Sequence, residues 1–198
     1  MSPDTGEERP CVGILALQGD FAAHAAAVKT AGGDPREVRI PADLLGIDAL
    51  ILPGGESTTM SLGIEREGLA GPLRDLCLSG RPVLATCAGM ILLGRDHLGI
   101  LDIAVRRNAF GRQVHSFEAD LDLGLDGGPL RAVFIRAPWV EEAGAQVEVL
   151  AEIDGHPVAV REGAVTAIAF HPEMAGDVRL HRALVSEALA DRAGTGQG

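Results

Sequence analysis

A single cysteine at the end of an apolar run could supply a nucleophile. Cys87 stands in Thr86-Cys87-Ala88-Gly89, directly after the apolar run 82–86. Small neighbours permit a sharp turn from a strand into a helix, which is the arrangement of a nucleophile elbow, and a helix N-terminus stabilises a thiolate. A buried core cysteine at a strand end has the same pattern, so this motif alone leaves both interpretations open.

A histidine and a glutamate two residues apart could supply the base. His171-Pro172-Glu173 follows the apolar run 165–170. Because Pro172 excludes a helix through this point, we expect an extended chain, in which residues i and i+2 project to the same side. Glu173 would then bond one imidazole nitrogen and leave the other free. An isolated motif of this type also fits a surface histidine beside a solvated glutamate. Together with a strand-end cysteine, however, it forms the set that acyl transfer through a thioester requires.

The third motif, PGGES at residues 53–57, could supply backbone donors. Two glycines between a strand and a helix let an N–H group turn toward a ligand without a Cβ clash. We expect the N–H groups of Gly55 and Ala88 to hold the oxyanion of a tetrahedral intermediate. An ordinary strand-to-helix turn uses the same residue types, so this motif gains weight only beside the other two.

The elements that must position these motifs alternate along the first half of the chain. Short apolar runs bounded by glycine or proline alternate with helical patterns. This alternation predicts an α/β fold with a doubly wound, mostly parallel sheet in three layers, and with sites beyond the carboxyl ends of the strands. The predicted strands are 11–17, 37–40, 49–52 and 82–86, and the predicted helices are 21–31 (capped by Asp20), 57–66, 69–78 and one that begins with 88–93.

The second half of the chain has a different pattern, with predicted strands joined by short turns. We expect this segment to add antiparallel strands to the sheet, and a helix over 178–190 to close the chain. Residues 11–192 would form one domain, flanked by polar, flexible tails at 1–10 and 193–198. The predicted strands are 113–121, 132–136, 147–153, 158–161 and 165–169.

Composition argues against several classes of function. The 198 residues carry a formal charge of −11, with 3% aromatic residues and no tyrosine. These values disfavour binding to nucleic acid or to an anionic membrane surface. The first residues lack the features of a signal peptide, and no apolar run is long enough to span a bilayer.

The cysteines and histidines predict neither disulfides nor a metal site. Cys11, Cys77 and Cys87 are an odd number at wide spacings, which indicates reduced thiols and a cytoplasmic location. We expect Cys11 and Cys77 to be core residues. The histidines outside the motif are scattered without ligand spacing; they are His24, His97, His115, His156 and His181.

In chain order, the motifs GGESTT (54–59), TCAG (86–89) and HPE (171–173) resemble those of the class I, or triad, glutamine amidotransferases. Two further segments, RNAFGRQ (107–113) and FIRAP (134–138), resemble more specifically the glutaminase subunits of pyridoxal 5′-phosphate synthases. The resemblance runs from about Val12 to Leu189. It implies a flavodoxin-like fold and the hydrolysis of L-glutamine to glutamate and ammonia, which passes to a separate synthase subunit.

The resemblance also implies roles for single residues. Cys87 would be the nucleophile, His171 the base and Glu173 the residue that orients the base. Gln18 is a further candidate, which either pairs with backbone near the oxyanion loop or faces the partner. No cofactor is implied for this subunit, because pyridoxal 5′-phosphate is the product of the complex. The residues expected to line the glutamine site are Gly54, Gly55, Glu56, Ser57, Ala88, Arg107, Ile135 and Arg136.

Arginine suits the carboxylate of the substrate, because a fixed guanidinium can bind a carboxylate through two hydrogen bonds. Arg106 and Arg107 would face opposite ways on a strand, so only one of them need enter the site. We also expect docking of the partner to reorient Gly54-Gly55 and so to switch activity on.

Other interpretations remain open from the sequence. The chain could be the glutaminase subunit of another synthase, such as that for imidazole-glycerol phosphate, although the segments at 107–113 and 134–138 argue against it. It could be a glutamine-binding regulator, although such a protein could dispense with the cysteine or the histidine. It could also be a cysteine hydrolase or a redox-sensing protein of the same fold class, in which Glu56 and Glu173 would have different duties.

Overall fold

The computed structural model describes residues 9–111 and 116–195. Helices and strands alternate through the first half, and strands predominate in the second. The strands are β1 (Cys11–Leu15), β2 (Asp34–Val38), β3 (Ala49–Leu52), β4 (Val83–Thr86), β5 (Ile103–Arg106), β6 (Ser116–Leu121), β7 (Leu130–Ile135), β8 (Trp139–Ala143), β9 (Glu148–Ile153), β10 (His156–Glu162) and β11 (Val165–Ile168). The α-helices are α1 (Phe21–Thr30), α2 (Ser57–Arg66), α3 (Ala70–Leu78), α4 (Ala88–Leu93) and α5 (Arg179–Thr195), and short 3-10 helices cover Pro41–Leu44 and Pro172–Ala175.

The main sheet has the strand order β2-β1-β3-β4-β11-β10-β9. Its first five strands are parallel, and β10 and β9 join them antiparallel. Every residue of β1, β3 and β4 is buried, which explains why these strands are apolar at nearly every position. β2 lies at the edge and exposes charged side chains, which discourage pairing with another chain.

Helices pack on the two faces of this sheet. α1 contacts α5, and α2 contacts α4. The chain moves outward from β1 to β2 and then returns past β1 to β3, which is the strand order of a flavodoxin-like fold with a switch point between β1 and β3. The predicted doubly wound α/β class with an antiparallel addition is therefore confirmed. None of the described helices is both long enough and apolar enough to cross a membrane.

The antiparallel strands of the second half do not all join the main sheet. β9 and β10 do, whereas β6 pairs with β7 and β5 pairs with β8 in separate two-stranded sheets. The prediction that this whole segment extends the main sheet is thus wrong in detail, because alternation of apolar residues identifies a strand but not its partner. Stacked rings of Phe117 and Phe134, with centroids 4.6 Å apart, join β6 to β7. Phe134 also packs on Phe170, which follows β11.

Several boundaries differ from the predicted ones. β2 covers Asp34–Val38 rather than 37–40, because an edge strand tolerates Pro35 and the chain enters a 3-10 helix at Pro41. Helix α5 ends at Thr195 rather than at 190, so it includes 193–195 of the predicted tail. Asp20 occupies the N-cap of α1, but its side chain makes no capping hydrogen bond. The other parts of the predicted tails, 1–8 and 196–198, lie outside the described residues, as do 113–115 of the strand predicted over 113–121.

Candidate active site

The three predicted motifs meet at one edge of the main sheet. Cys87 directly follows β4, His171 lies three residues beyond the end of β11, and Gly54-Gly55 follow β3. Gln18 lies beyond the end of β1. Because β1, β3, β4 and β11 are neighbouring parallel strands, their carboxyl ends lie side by side next to the switch point.

The backbone of Cys87 is strained, with φ 47° and ψ −102°. Its N–H donates to the carbonyl of Ile168 at 2.8 Å, and its carbonyl accepts from the N–H of Met90 at 3.1 Å, so β11 and α4 both hold the turn. A Cβ at position 89 would collide with the carbonyl of Leu52, which requires Gly89. A conformation like that of Cys87 costs on the order of 1–3 kcal/mol in a non-glycine residue. It is typical of a nucleophile elbow. The predicted sharp turn from strand to helix at Cys87 is present.

His171 and Glu173 form the predicted pair, although not for the predicted reason. The Nδ1 atom of His171 lies 2.8 Å from Oε1 of Glu173. The chain is not extended here, since Pro172 begins a 3-10 helix that covers Pro172–Ala175. Proline fits the first position of a helix because no N–H is needed there. This turn brings the Glu173 carboxylate back to the imidazole, and a hydrogen bond from the His171 N–H to the carbonyl of Val133 (2.9 Å) ties the loop to β7.

The Cys87 thiol donates to the carbonyl of Ile135 at 4.0 Å, and Cys87 and His171 line the same cavity. Both side chains border Gly54: a Cβ added there would collide with the imidazole and would lie 3.4 Å from Cβ of Cys87. A glycine at this position therefore lets the loop after β3 lie against the two side chains. Cysteine, histidine and glutamate thus stand in the order that nucleophilic acyl transfer requires.

Burial and hydrogen bonding oppose each other at the histidine. Burial lowers the pKa of His171, but hydrogen bonds to Cys87 and Glu173, together with their charges, raise it well above its usual value. The Glu173 side chain is 1% exposed. Burial raises the pKa of this carboxyl, yet the hydrogen bond from His171 and the nearby imidazoles bring it below its usual value. An ionised glutamate stabilises the imidazolium that forms once the neutral imidazole has accepted the proton of a thiol.

Of the two alternatives considered for Gln18, the structure shows the pairing with backbone of the loop after β3. Its Oε1 accepts a hydrogen bond from the N–H of Glu56 at 2.6 Å. The N–H of Asp20 donates to the carbonyl of Gly54 at 3.4 Å. The turn after β1 therefore fixes the loop after β3 from one side.

A cavity of about 280 Å³ opens beside Cys87. Its lining includes every predicted site residue except Gly54, which lies against His171, and Glu173, which lies behind it. Two lining residues were not predicted, Ile91 and Asn108. Asn108 has a φ of 48°, and the residue type was the available sequence signal, because asparagine tolerates positive φ better than most residues. The lining residues are Gln18, Gly55, Glu56, Ser57, Cys87, Ala88, Ile91, Arg107, Asn108, Ile135, Arg136 and His171.

Glu56 also serves the fold. Its carboxylate caps α2 by accepting hydrogen bonds from the N–H groups of Thr58 (3.2 Å) and Thr59 (2.7 Å). Hydrogen bonds from the Thr59 hydroxyl and from these N–H groups lower the pKa of Glu56 to about 2. Arg107 lies 3.3 Å from the same carboxylate and donates to the Thr58 hydroxyl at 3.2 Å. The Arg136 side chain, in contrast, makes no hydrogen bond or ion pair with another residue of the described part of the chain.

Arg106 and Arg107 face different ways, as predicted. Arg106 ends β5, pairs with Glu141 and lies over the ring of Trp139, whereas Arg107 lines the cavity. Within residues 9–111 and 116–195, no group of three histidine, cysteine or acidic side chains could hold a metal ion. A larger cleft of about 520 Å³ lies near Ser79, Arg81 and Ala188, away from the cysteine and the histidine.

Comparison with known sequences agrees with this geometry. A model described as the SNO glutamine amidotransferase family matches residues 14–190. The pyridoxal 5′-phosphate synthase subunit PdxT of Acidothermus cellulolyticus is 55% identical over 197 residues, covering 92% of this chain and 95% of the relative. PdxT of Streptomyces coelicolor is 50% identical over 196 residues, covering 94% of this chain and 97% of the relative.

Comparison with solved structures gives the same fold. A crystal structure described as a glutamine amidotransferase has a TM-score of 0.83 and 45% identity, covering 89% of this chain and 98% of that chain. The structure of PurLQS from Thermotoga maritima has a TM-score of 0.69 at 17% identity, covering 93% of this chain and 99% of that chain. At that level of identity, the second likeness concerns the fold alone.

Proposed function

The chain belongs to the SNO glutamine amidotransferase family, and from this membership we infer that it is the glutaminase subunit of a pyridoxal 5′-phosphate synthase. It is an enzyme that hydrolyses L-glutamine and supplies ammonia for vitamin B6 biosynthesis. The observation that carries the proposal is that Cys87, His171 and Glu173 lie together after neighbouring strands, beside one cavity. The shared name of relatives that are 50–55% identical favours this synthase over the one for imidazole-glycerol phosphate.

The proposed reaction proceeds through a thioester. The Cys87 thiol gives its proton to His171, and the sulfur attacks the side-chain amide carbon of glutamine. The N–H groups of Gly55 and Ala88 hold the oxyanion of the tetrahedral intermediate. His171 then protonates the departing ammonia, and water cleaves the thioester to release glutamate. Glu173 keeps the imidazole in the orientation and tautomer that these proton transfers need.

The substrate carries a carboxylate and an amine that the site must recognise. We assign the carboxylate to Arg136 with help from Arg107, because a guanidinium can donate two hydrogen bonds to it. Glu56, Ser57 and the backbone around Ile135 complete the proposed glutamine site. Ser57 supports this assignment, since its buried hydroxyl lacks a hydrogen-bond partner among the described residues.

Ammonia release is useful only if a partner consumes the product. We propose that a separate synthase subunit docks on this chain, reorients Gly54-Gly55 and completes the oxyanion site. Residues 11–192 act as one glutamine amidotransferase domain in this proposal, supported by one hydrophobic core that includes residues from β1 to α5. We place the protein in the cytoplasm, which suits three free cysteines.

Labelling with a diazoketone analogue of glutamine tests the proposal. The complex with the synthase subunit from the same genome should release ammonia from glutamine, and the label should map to the peptide that contains Cys87. Cys87→Ala should abolish both labelling and ammonia release. Cys77→Ala is the matched control and should retain both, because burial raises the pKa of Cys77 to about 12 and keeps this thiol unreactive.

Two results would contradict the proposal. One is a label that maps to a peptide other than the one with Cys87. The other is a Cys87→Ala complex that still releases ammonia at the wild-type rate.

A further inference from the structure

The proposed mechanism uses one oxygen of Glu173 and leaves the other unexplained. Oε1 faces Nδ1 of His171, whereas Oε2 is buried and has no hydrogen-bond partner among the described residues. The nearest polar atom recorded for Oε2 is Nε2 of His24, at 3.6 Å. That separation is too long for a hydrogen bond. A buried carboxylate oxygen without a hydrogen-bond donor destabilises the folded state. The imidazole beside this oxygen is therefore the candidate for the missing donor.

His24 begins a buried polar chain that leads away from Glu173. Its Nδ1 lies 2.9 Å from Nε2 of His181, and its Nε2 lies 3.3 Å from the Thr86 hydroxyl. Both histidines are 0% exposed. His24 belongs to α1 and His181 to α5, so the contact between these helices positions both imidazoles behind the carboxylate.

One tautomer satisfies this chain best. If Nε2 of His181 carries the hydrogen, it donates to Nδ1 of His24, and Nε2–H of His24 then points toward Glu173 and Thr86. The opposite assignment would aim a bare nitrogen lone pair at a carboxylate. It would also leave a buried N–H at Nδ1 of His181, which has no partner in the described chain. An unsatisfied buried donor costs about 1–3 kcal/mol.

Both imidazoles are neutral near pH 7. Burial lowers the pKa of His24, as does the charge of His171, against the opposing charges of Glu173 and Asp20. Burial and His24 together lower the pKa of His181 to about 4, against Glu173 and Asp177. A neutral donor can orient Glu173 without cancelling the negative charge that supports the His171 imidazolium.

We propose that His24 is a positioning residue for glutamine hydrolysis: it donates its Nε2–H to Oε2 of Glu173, and His181 fixes the tautomer that makes this possible. The inference rests on the proposed function of the same site. Catalytic hydrogen bonds are often long in a free enzyme and shorten when the site is engaged, so the 3.6 Å contact closes as the imidazolium forms. Glu173 is then held at both oxygens.

Steady-state kinetics of the complex with the synthase subunit test the role of His24. His24→Leu removes the donor, and we expect kcat to fall about tenfold or more with KM for glutamine nearly unchanged, since a hydrogen bond to a charged group is lost. His24→Gln keeps an N–H donor and should recover most of the activity. His97→Gln, on the surface near Ser61, is the matched control and should behave like the wild type.

The pH profile separates positioning from packing. Loss of a donor to the ionised carboxylate raises the pKa of Glu173, so the acid limb of kcat/KM should move to higher pH in His24→Leu and return in His24→Gln. A packing defect would lower activity at every pH without moving that limb. An unmoved limb, or a His24→Gln variant as impaired as His24→Leu, would overturn the inference.

Nitrogen NMR of the full chain tests the tautomer without any activity. With labelled histidine, His24 should carry its hydrogen on Nε2 and none on Nδ1, and His181→Leu should disturb this pattern. A hydrogen on Nδ1 of His24 in the wild type would contradict the inference. If the wild-type complex releases no ammonia, the proposed function fails, and the NMR result still decides whether His24 presents a donor to Glu173.

Discussion

Arg107 and Arg136 line the same cavity but differ in what already occupies their guanidinium groups. Arg107 is engaged by the Glu56 carboxylate and the Thr58 hydroxyl. Glu56 is in turn held by the N-terminus of α2. Arg136 has no such side-chain partner in the described chain, and it lines the cavity directly after β7, where its backbone has left the strand at φ 44°. Arg136 is therefore the better placed of the two to accept a carboxylate.

Substitution of the arginines should separate these two environments. Arg136→Met should raise KM for glutamine about ten- to a hundredfold with a smaller change in kcat, because a charged, two-point hydrogen bond is lost. Arg107→Met should have a smaller effect, since Arg107 must first leave Glu56. Arg106→Met is the matched control, because Arg106 contacts Glu141 and Trp139 outside the cavity. Steady-state ammonia release by the complex measures all three, and an unchanged KM in Arg136→Met would remove it from the glutamine site.

At the scale of elements, the strand and the helix that flank the loop beside Cys87 were the easiest to predict. The bounds of β3 and α2 match the predicted 49–52 and 57–66, because PGGES supplies a strand stop and a helix start within five residues. β5 and β8 were not predicted, since they are short and their pairing spans a long stretch of chain. The buried histidines were also missed, because no spacing pattern connects α1 to α5. Only packing brings His24 to His181.

The loop after β3 requires a glycine at position 54. A Cβ at position 54 would collide with the His171 imidazole. Gly54→Ala should therefore displace the base and lower kcat of the complex at least a hundredfold, since a small misplacement near the reacting atoms costs about that much. Gly71→Ala in α3 meets no atom within 4 Å and is the matched control, which should keep full activity and equal or higher stability. A Gly54→Ala complex with the wild-type kcat would show that the loop does not lie against His171 during turnover.

At the scale of the whole molecule, the ionisable groups of the site make the free energy of unfolding depend on pH, and they do so in opposite directions. The pKa of His171 is raised in the folded state. The stability that His171 contributes is therefore fully present below the pKa of the unfolded chain, and it is lost as the pH rises through the pKa of the folded state. Glu173 has a lowered pKa, so its contribution is lost only as the pH falls through that lowered value. His24 and His181 have lowered pKa values and act differently, because the unfolded chain takes up their protons first. Between about pH 6 and pH 5 the two buried histidines dominate this balance.

The free energy of unfolding should therefore fall as the pH is lowered from 6 to 5. His181, with its folded pKa of about 4, binds a proton in the unfolded chain but not in the folded one over this range. It alone should remove about 1 kcal/mol of stability. His181→Gln cannot titrate and keeps an N–H donor toward His24, so its unfolding curve in urea should change less over the same pH step. His97→Gln, at an exposed position outside the buried polar chain, is the matched control substitution. If His181→Gln and the wild type lose equal stability, His181 does not enter the folded core as a neutral imidazole, and the polar chain behind Glu173 would need a different arrangement of protons.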